Sequence, residues 1–163
     1  MSYTSWPLPL FPGYTLTVGL FLKDNSHEQN LSEFLNAKEG IIVDATIIPD
    51  LFLIQSAACR ALSSLQSNAL VTKSLLEELV FHLYPSNSFS LLKDFCNAPS
   101  YAFLIILSQE AIVQPEVPFL PLEMHQDILD TSRIAKVFNL LEGEYSREKH
   151  LKQCINAVVC KRV

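Results

Sequence analysis

Residues 41–95 read IIVDATIIPDLFLIQSAACRALSSLQSNALVTKSLLEELVFHLYPSNSFSLLKDF. The run 41–48 is β-branched and apolar apart from Asp44 and Thr46, which predicts a central strand buried on both faces. Asp50 is placed to cap a helix running to Gln66. Ile54, Ala57, Ala58, Ala61, Leu62 and Leu65 recur at three- and four-residue spacing as its apolar stripe. Ser56, Arg60, Ser63 and Ser67 form the opposite stripe, and Arg60 is the only charge between Asp50 and Lys73. Ser67 and Asn68 end the helix. Periodicity does not decide whether ELVFHLY at 78–84 is helix or strand; its length and the following Pro85 favour a strand. Ser86, Asn87 and Ser88 are turn and cap residues. A short helix over 88–95 then buries Phe89, Leu92 and Phe95.

Upstream, residues 1–13 form an extended arm, with Pro7, Pro9 and Pro12 opposing regular structure. Residues 14–22 alternate loosely and read as a strand. Ser26 caps a helix to about residue 38, ended by Gly40. Downstream, YAFLIIL at 101–107 is the clearest strand, and the prolines in 112–121 mark a loop. Asp130 or Thr131 caps a helix over Ile134, Val137, Phe138 and Leu141, which ends at residues 142–144. Ser146 caps a last helix with Leu151, Cys154, Ile155, Val158 and Val159 toward one face. The expected architecture is one α+β domain over 1–163, with a mixed or mostly antiparallel sheet of about four strands and about five packed helices.

The 163 residues are 49% hydrophobic, enough for a large core without a metal or disulfide. The formal net charge is −5, which is not the balance of a nucleic-acid-binding chain. Charge is uneven, however. Residues 109–144 are acidic, whereas Arg147, Lys149, Lys152, Lys161 and Arg162 face only Glu148. Such a tail binds an anionic partner or is simply solvated; the solvated reading is favoured. Cys59, Cys96, Cys154 and Cys160 form no C-x-x-C pair and have no histidine at zinc-ligand spacing. They read as reduced core cysteines of an intracellular protein. No signal peptide and no membrane span is expected.

Catalytic chemistry finds little footing. The chain holds four glycines, and none forms a phosphate-cradling loop. No histidine lies beside a recognisable nucleophile. His82 reads as a satisfied or outward-facing strand residue, and one of Glu77 and Glu78 as solvated. No catalytic residue, metal ligand or cofactor is expected. Arg60 and Lys73 are lone cations beside apolar stretches. Each is a snorkelling side chain or a holder of phosphate beside a base pocket.

The run TIIPDLFLIQSAACRA at 46–61 resembles the PRPK-binding protein family (TPRKB) through Thr46, Asp50, Ala57, Ala58, Arg60 and Ala61. Thr72, Lys73, Ser74, Leu75 and Glu78 resemble a second block, and Pro85, Asn87 and Phe89 to Phe95 a third. Residues 155–159, INAVV, look like the family's last helix. Tyr84, Cys96 and the pair Asp44–Ala45 depart from its pattern. The resemblance implies a non-catalytic subunit of KEOPS, the complex that supports threonylcarbamoyl transfer to the adenosine beside the anticodon. It implies binding to an atypical PRPK-type kinase and to the CCA tail of tRNA, indirect contact with other KEOPS subunits, and residence in cytoplasm and nucleus. Arg60 and Lys73 match basic positions and are the expected tRNA contacts. Leu151, Ile155 and Val159 are the expected kinase interface, because the last helix has apolar residues on more than one side. The alternative is a scaffold that binds a kinase and has no RNA role.

Overall fold

Strand β4 (Tyr101–Ser108) is apolar at every position from 102 to 107 because both of its faces are covered. It pairs antiparallel with β2 (Thr15–Leu22), which places Leu16 against Leu107, Val18 against Ile105 and Leu20 against Phe103. These six side chains share the main core. The alternate positions Phe21, Ala102, Leu104 and Ile106 point the other way into a second cluster with Val117. Strand alternation therefore feeds two cores from one ladder. The structure, a computed structural model, describes residues 3–23, 33, 35, 40–86, 96, 100–109, 117–140 and 147–160, with 147 and 150 as backbone alone.

Around this pair the sheet is completed by β1 (Tyr3–Pro7), β3 (Ile41–Asp44) and β5 (Phe119–Leu120). The strand order is β1-β2-β4-β3, with β5 also pairing β2, and every pairing is antiparallel. β1 lies beside residues 15–19 of β2 and β5 beside residues 20 and 21, so the two share one edge. Phe119 lies over Gly19, where a Cβ would overlap its ring; the glycine is required by this close approach. Ser5 and Thr17, directly opposite, are joined through their hydroxyls at 2.7 Å.

Helices α1 (Leu51–Gln66), α2 (Leu75–Leu83), α3 (Thr131–Val137) and α4 (Arg147–Val159) contribute to the main core. Asp50 caps α1 by accepting from Phe52 N at 2.7 Å. Leu53, Ile54, Ala57, Ala58, Ala61 and Leu62 are its buried face. The expected α+β class with a mainly antiparallel sheet is the class observed.

Four expectations need correction. The segment 78–84 is helical, as part of α2. Ser74 accepts from Glu77 N at 3.2 Å and caps it, and Leu79, Val80 and Leu83 are buried at helical spacing. Pro85 follows the extended Tyr84, so it stops a helix here and not a strand. The strand at 41–48 is cut after Asp44, and it lies at the sheet edge. The Asp44 carboxylate accepts from Thr46 N at 2.9 Å and from its hydroxyl at 2.7 Å, turning the chain into a 3-10 turn at Ala45–Ile47. Residues 3–7 of the arm are strand, with Pro7 at the last position where its missing N–H is tolerated. Residues 119 and 120, inside the expected loop, are strand as well. The expected helices over 26–38 and 88–95 and the cap at Ser146 lie outside the described residues, except that Glu33, Leu35 and Cys96 are helical.

The 3-10 turn is clasped from the C-terminal half. Arg133 of α3 places Nη2 2.8 Å from Asp44 Oδ2 and donates from Nη1 to the Thr46 hydroxyl at 3.1 Å. Asp130 N donates to Thr46 O at 2.8 Å. His125, buried in the 3-10 segment Leu122–Ile128, lies 3.2 Å from Ala45 O and stands edge-on to Phe103. Asp44 is fully buried, whereas Arg133 is 40% exposed. Removing one partner of a buried pair leaves an uncompensated charge. Arg133→Met is expected to lower the unfolding free energy by about 2–3 kcal/mol, less than for a pair closed to water on both sides. Urea titration checks this, and an unchanged midpoint would show the clasp to be energetically idle.

Candidate functional site

The connector between α1 and α2 is held by one carboxylate. Glu78 is 0% exposed. Its Oε2 accepts from Val71 N at 3.0 Å, Thr72 N at 2.9 Å and the Thr72 hydroxyl at 2.7 Å. Its Oε1 lies 3.3 Å from Nε2 of His82, one turn on. The same His82 nitrogen lies 3.2 Å from Ser64 Oγ on α1. A serine, a histidine and a glutamate thus meet in the interior. The geometry is not that of a hydrolase relay, which uses one ring nitrogen for the nucleophile and the other for the carboxylate. Here a single nitrogen faces both neighbours, and the second carboxylate oxygen is spent on the backbone. The cluster does structural work: it pins residues 71–72 to α2 and ties α2 to α1.

Lys73 is exposed on this pinned connector. Its N–H donates to Glu77 Oε2 at 3.1 Å, so one carboxylate lies close to its backbone. Among the described residues its ammonium has no ion-pair partner. Of the two adjacent glutamates, Glu77 is the exposed one and Glu78 the buried one.

Arg60 is half-buried and reaches the end of α4. Its Nη1 donates to the carbonyl of Val158 and, at 3.3 Å, to that of Val159. Burial pushes the guanidinium pKa below its ordinary value, partly offset by Cys160. Arginine remains charged even so. Arg60 and Lys73 are therefore held by different elements, one by α4 and the other by the connector. Sequence separation hid the α4 contact, since Arg60 and Val158 are 98 residues apart.

On α4, Cys154 and Val158 are fully buried, Leu151 and Ile155 half-buried, and Val159 is 45% exposed. Positions 151, 155 and 159 are four residues apart and drift around the helix. They form a stripe that leaves the core on one flank and reaches solvent at Val159. Glu148 and Lys152, exposed and 2.8 Å apart, border the same flank.

The cysteines divide. Burial pushes the Cys154 thiol up to about 12 and that of Cys96 up to about 11, and raises Cys59 as well. Cys160 is exposed, against the expectation of four core cysteines. All four are free. Among the described residues no metal-holding cluster is present, and no helix is long and apolar enough to cross a membrane.

Sequence reasoning missed Glu78, Arg133 and His125 as organisers. The capping signature Ser74-x-x-Glu77 points instead to Glu77, which reaches back to Lys73 N; no local pattern singles out Glu78. Glu78→Ala removes the acceptor oxygen shared by Val71 N, Thr72 N and the Thr72 hydroxyl. It is expected to cost about 2 kcal/mol and to speed amide exchange at Val71 and Thr72 while mid-α1 amides keep their protection. Uniform exchange across both regions would contradict a local staple.

Residues 23–163 match the sequence model of the family described as kinase binding protein CGI-121. The chain belongs to that family, which is the PRPK-binding protein family.

Proposed function

We propose that this member of a kinase-binding family is a non-catalytic adaptor subunit of the KEOPS type. It docks on a PRPK-type atypical kinase through the α4 flank and supports threonylcarbamoyl modification of tRNA in cytoplasm and nucleus. One observation carries the docking surface: an apolar stripe on α4 continues from the core into solvent at Val159. A helix flank of this kind suits burial against a partner helix or strand. Leu151 and Ile155 supply the base of the stripe and Val159 its exposed end. The tRNA contact is assigned to Lys73, with Arg60 as the second cation, against phosphates near the CCA end. An acidic chain can do this because phosphate binding depends on local cations. Other KEOPS subunits are reached through the kinase.

A specific observation favours a second reading. Arg60 donates to α4 carbonyls, which gives it a structural role whether or not RNA binds. The alternative is then a kinase scaffold without an RNA role.

Val159→Arg is expected to weaken binding of the purified PRPK-type kinase by at least about tenfold, the usual scale of a truncated or blocked anchor, with an unchanged melting temperature. Binding equal to the parent's would move the interface off this flank. Lys73→Glu is expected to weaken all tRNAs alike and to flatten the salt dependence by about one unit of slope, with kinase binding retained. Parent-like binding of tRNA with and without its CCA end would favour the scaffold.

A further inference from the structure

The last turn of α4 is Asn156, Ala157, Val158 and Val159, with no basic residue. The final carbonyls of a helix lack intrahelical donors, and a cation there is favourable. α4 does not supply one from within its last turn. Arg60 supplies it from α1, through Nη1 to the carbonyls of both Val158 and Val159. The apolar anchoring stops one residue earlier: Val158 is fully buried, while Val159 is 45% exposed. The side chain at the tip of the stripe thus has little packing to fix it, and its own carbonyl is held by a polar tether. The exposed pair Glu148 and Lys152 lies at the other end of the helix and does nothing for this turn.

We propose that Arg60 is a positioning residue for the partner-binding flank of α4: acting from α1 as the cationic cap of its last turn, it holds Val159 in the orientation the kinase meets. The inference rests on the docking surface assigned above.

The test uses the full chain, the purified PRPK-type kinase, and the variants Arg60→Met, Arg60→Lys, Val159→Arg and Arg60→Met/Val159→Arg. Methionine keeps an apolar stem and removes every donor. Arg60→Met is expected to speed amide exchange at residues 156–160 about tenfold, the upper scale of a lost helix-terminal cation, and to weaken the kinase to a similar degree. Arg60→Lys retains a cation and restores part of both. In the Val159→Arg background, Arg60→Met adds less than about twofold to the loss of kinase affinity, because positioning matters only while the positioned side chain does. A merely structural role would not give this coupling.

Unchanged exchange at 156–160 in Arg60→Met overturns the tether and leaves the docking surface standing if Val159→Arg still weakens the kinase. Faster exchange with parent-like kinase affinity overturns the positioning role. Full additivity of the two changes also overturns it. If Arg60→Met does not fold, Arg60→Gln, which keeps a polar side chain and removes the charge, carries the measurement, and parent-like exchange and kinase affinity in that variant overturn the cationic cap. Parent-like binding by Val159→Arg removes the docking surface and this inference with it.

Discussion

The β2–β4 ladder is apolar on both faces, and that constraint shapes the rest of the molecule. A strand pair covered on one side only would leave Phe21, Leu104 and Ile106 in water. Burying a side chain of this size contributes roughly 1.5–3 kcal/mol, so both faces must find a cover. α1, α2 and α4 close one side, where Ala57, Ala58 and Ala61 belong to the buried face of α1. Val117, Phe119 and Leu35 contribute to the other. Gly19 follows from the same demand, because Phe119 settles directly on the strand backbone.

Covering a sheet with helices forces irregular chain between them, and two buried carboxylates organise it. Asp44 turns the chain out of β3 and receives Arg133 from α3. Glu78 gathers the amides of Val71 and Thr72 in the second half of the α1–α2 connector. Each charge is surrounded by donors, which offsets part of the cost of leaving water. Their consequence is positional. Asp44 links the N-terminal half to the helix at 131–137, and Glu78 fixes the segment that exposes Lys73. The candidate surfaces are thus built on chain whose shape is set by interior charges and not by secondary structure of its own.

Arg60 joins these themes. The polar stripe of α1 faces away from the sheet, yet its one cation is turned to the end of another helix. An exposed apolar stripe on α4 and the conformation of that helix's last turn therefore meet at one residue. Local charge and local packing, not the net charge of −5, decide what this corner of the molecule can bind.

Periodicity by itself determined much of the fold. The cap at Asp50, the alanine face of α1, the strands at 14–22 and 101–107 and the start of the helix capped at Asp130 all follow from spacing and capping chemistry, which act over a few residues; that helix ends at Val137, short of the expected Phe138 and Leu141. The order and spacing of the weak motifs determined the family. Tertiary structure decided the remainder. The run 78–84 carries apolar residues on nearly every side, so only its packing against α1 and its cap at Ser74 make it a helix. β3 looks central because it is β-branched, but Asp44 ends it and the pairing order leaves it at the edge. Where Arg60 reaches depends on a partner 98 residues away, and which of Glu77 and Glu78 is buried depends on how the connector folds back on α2. Those choices belong to three-dimensional hydrogen bonding, which no short-range pattern encodes.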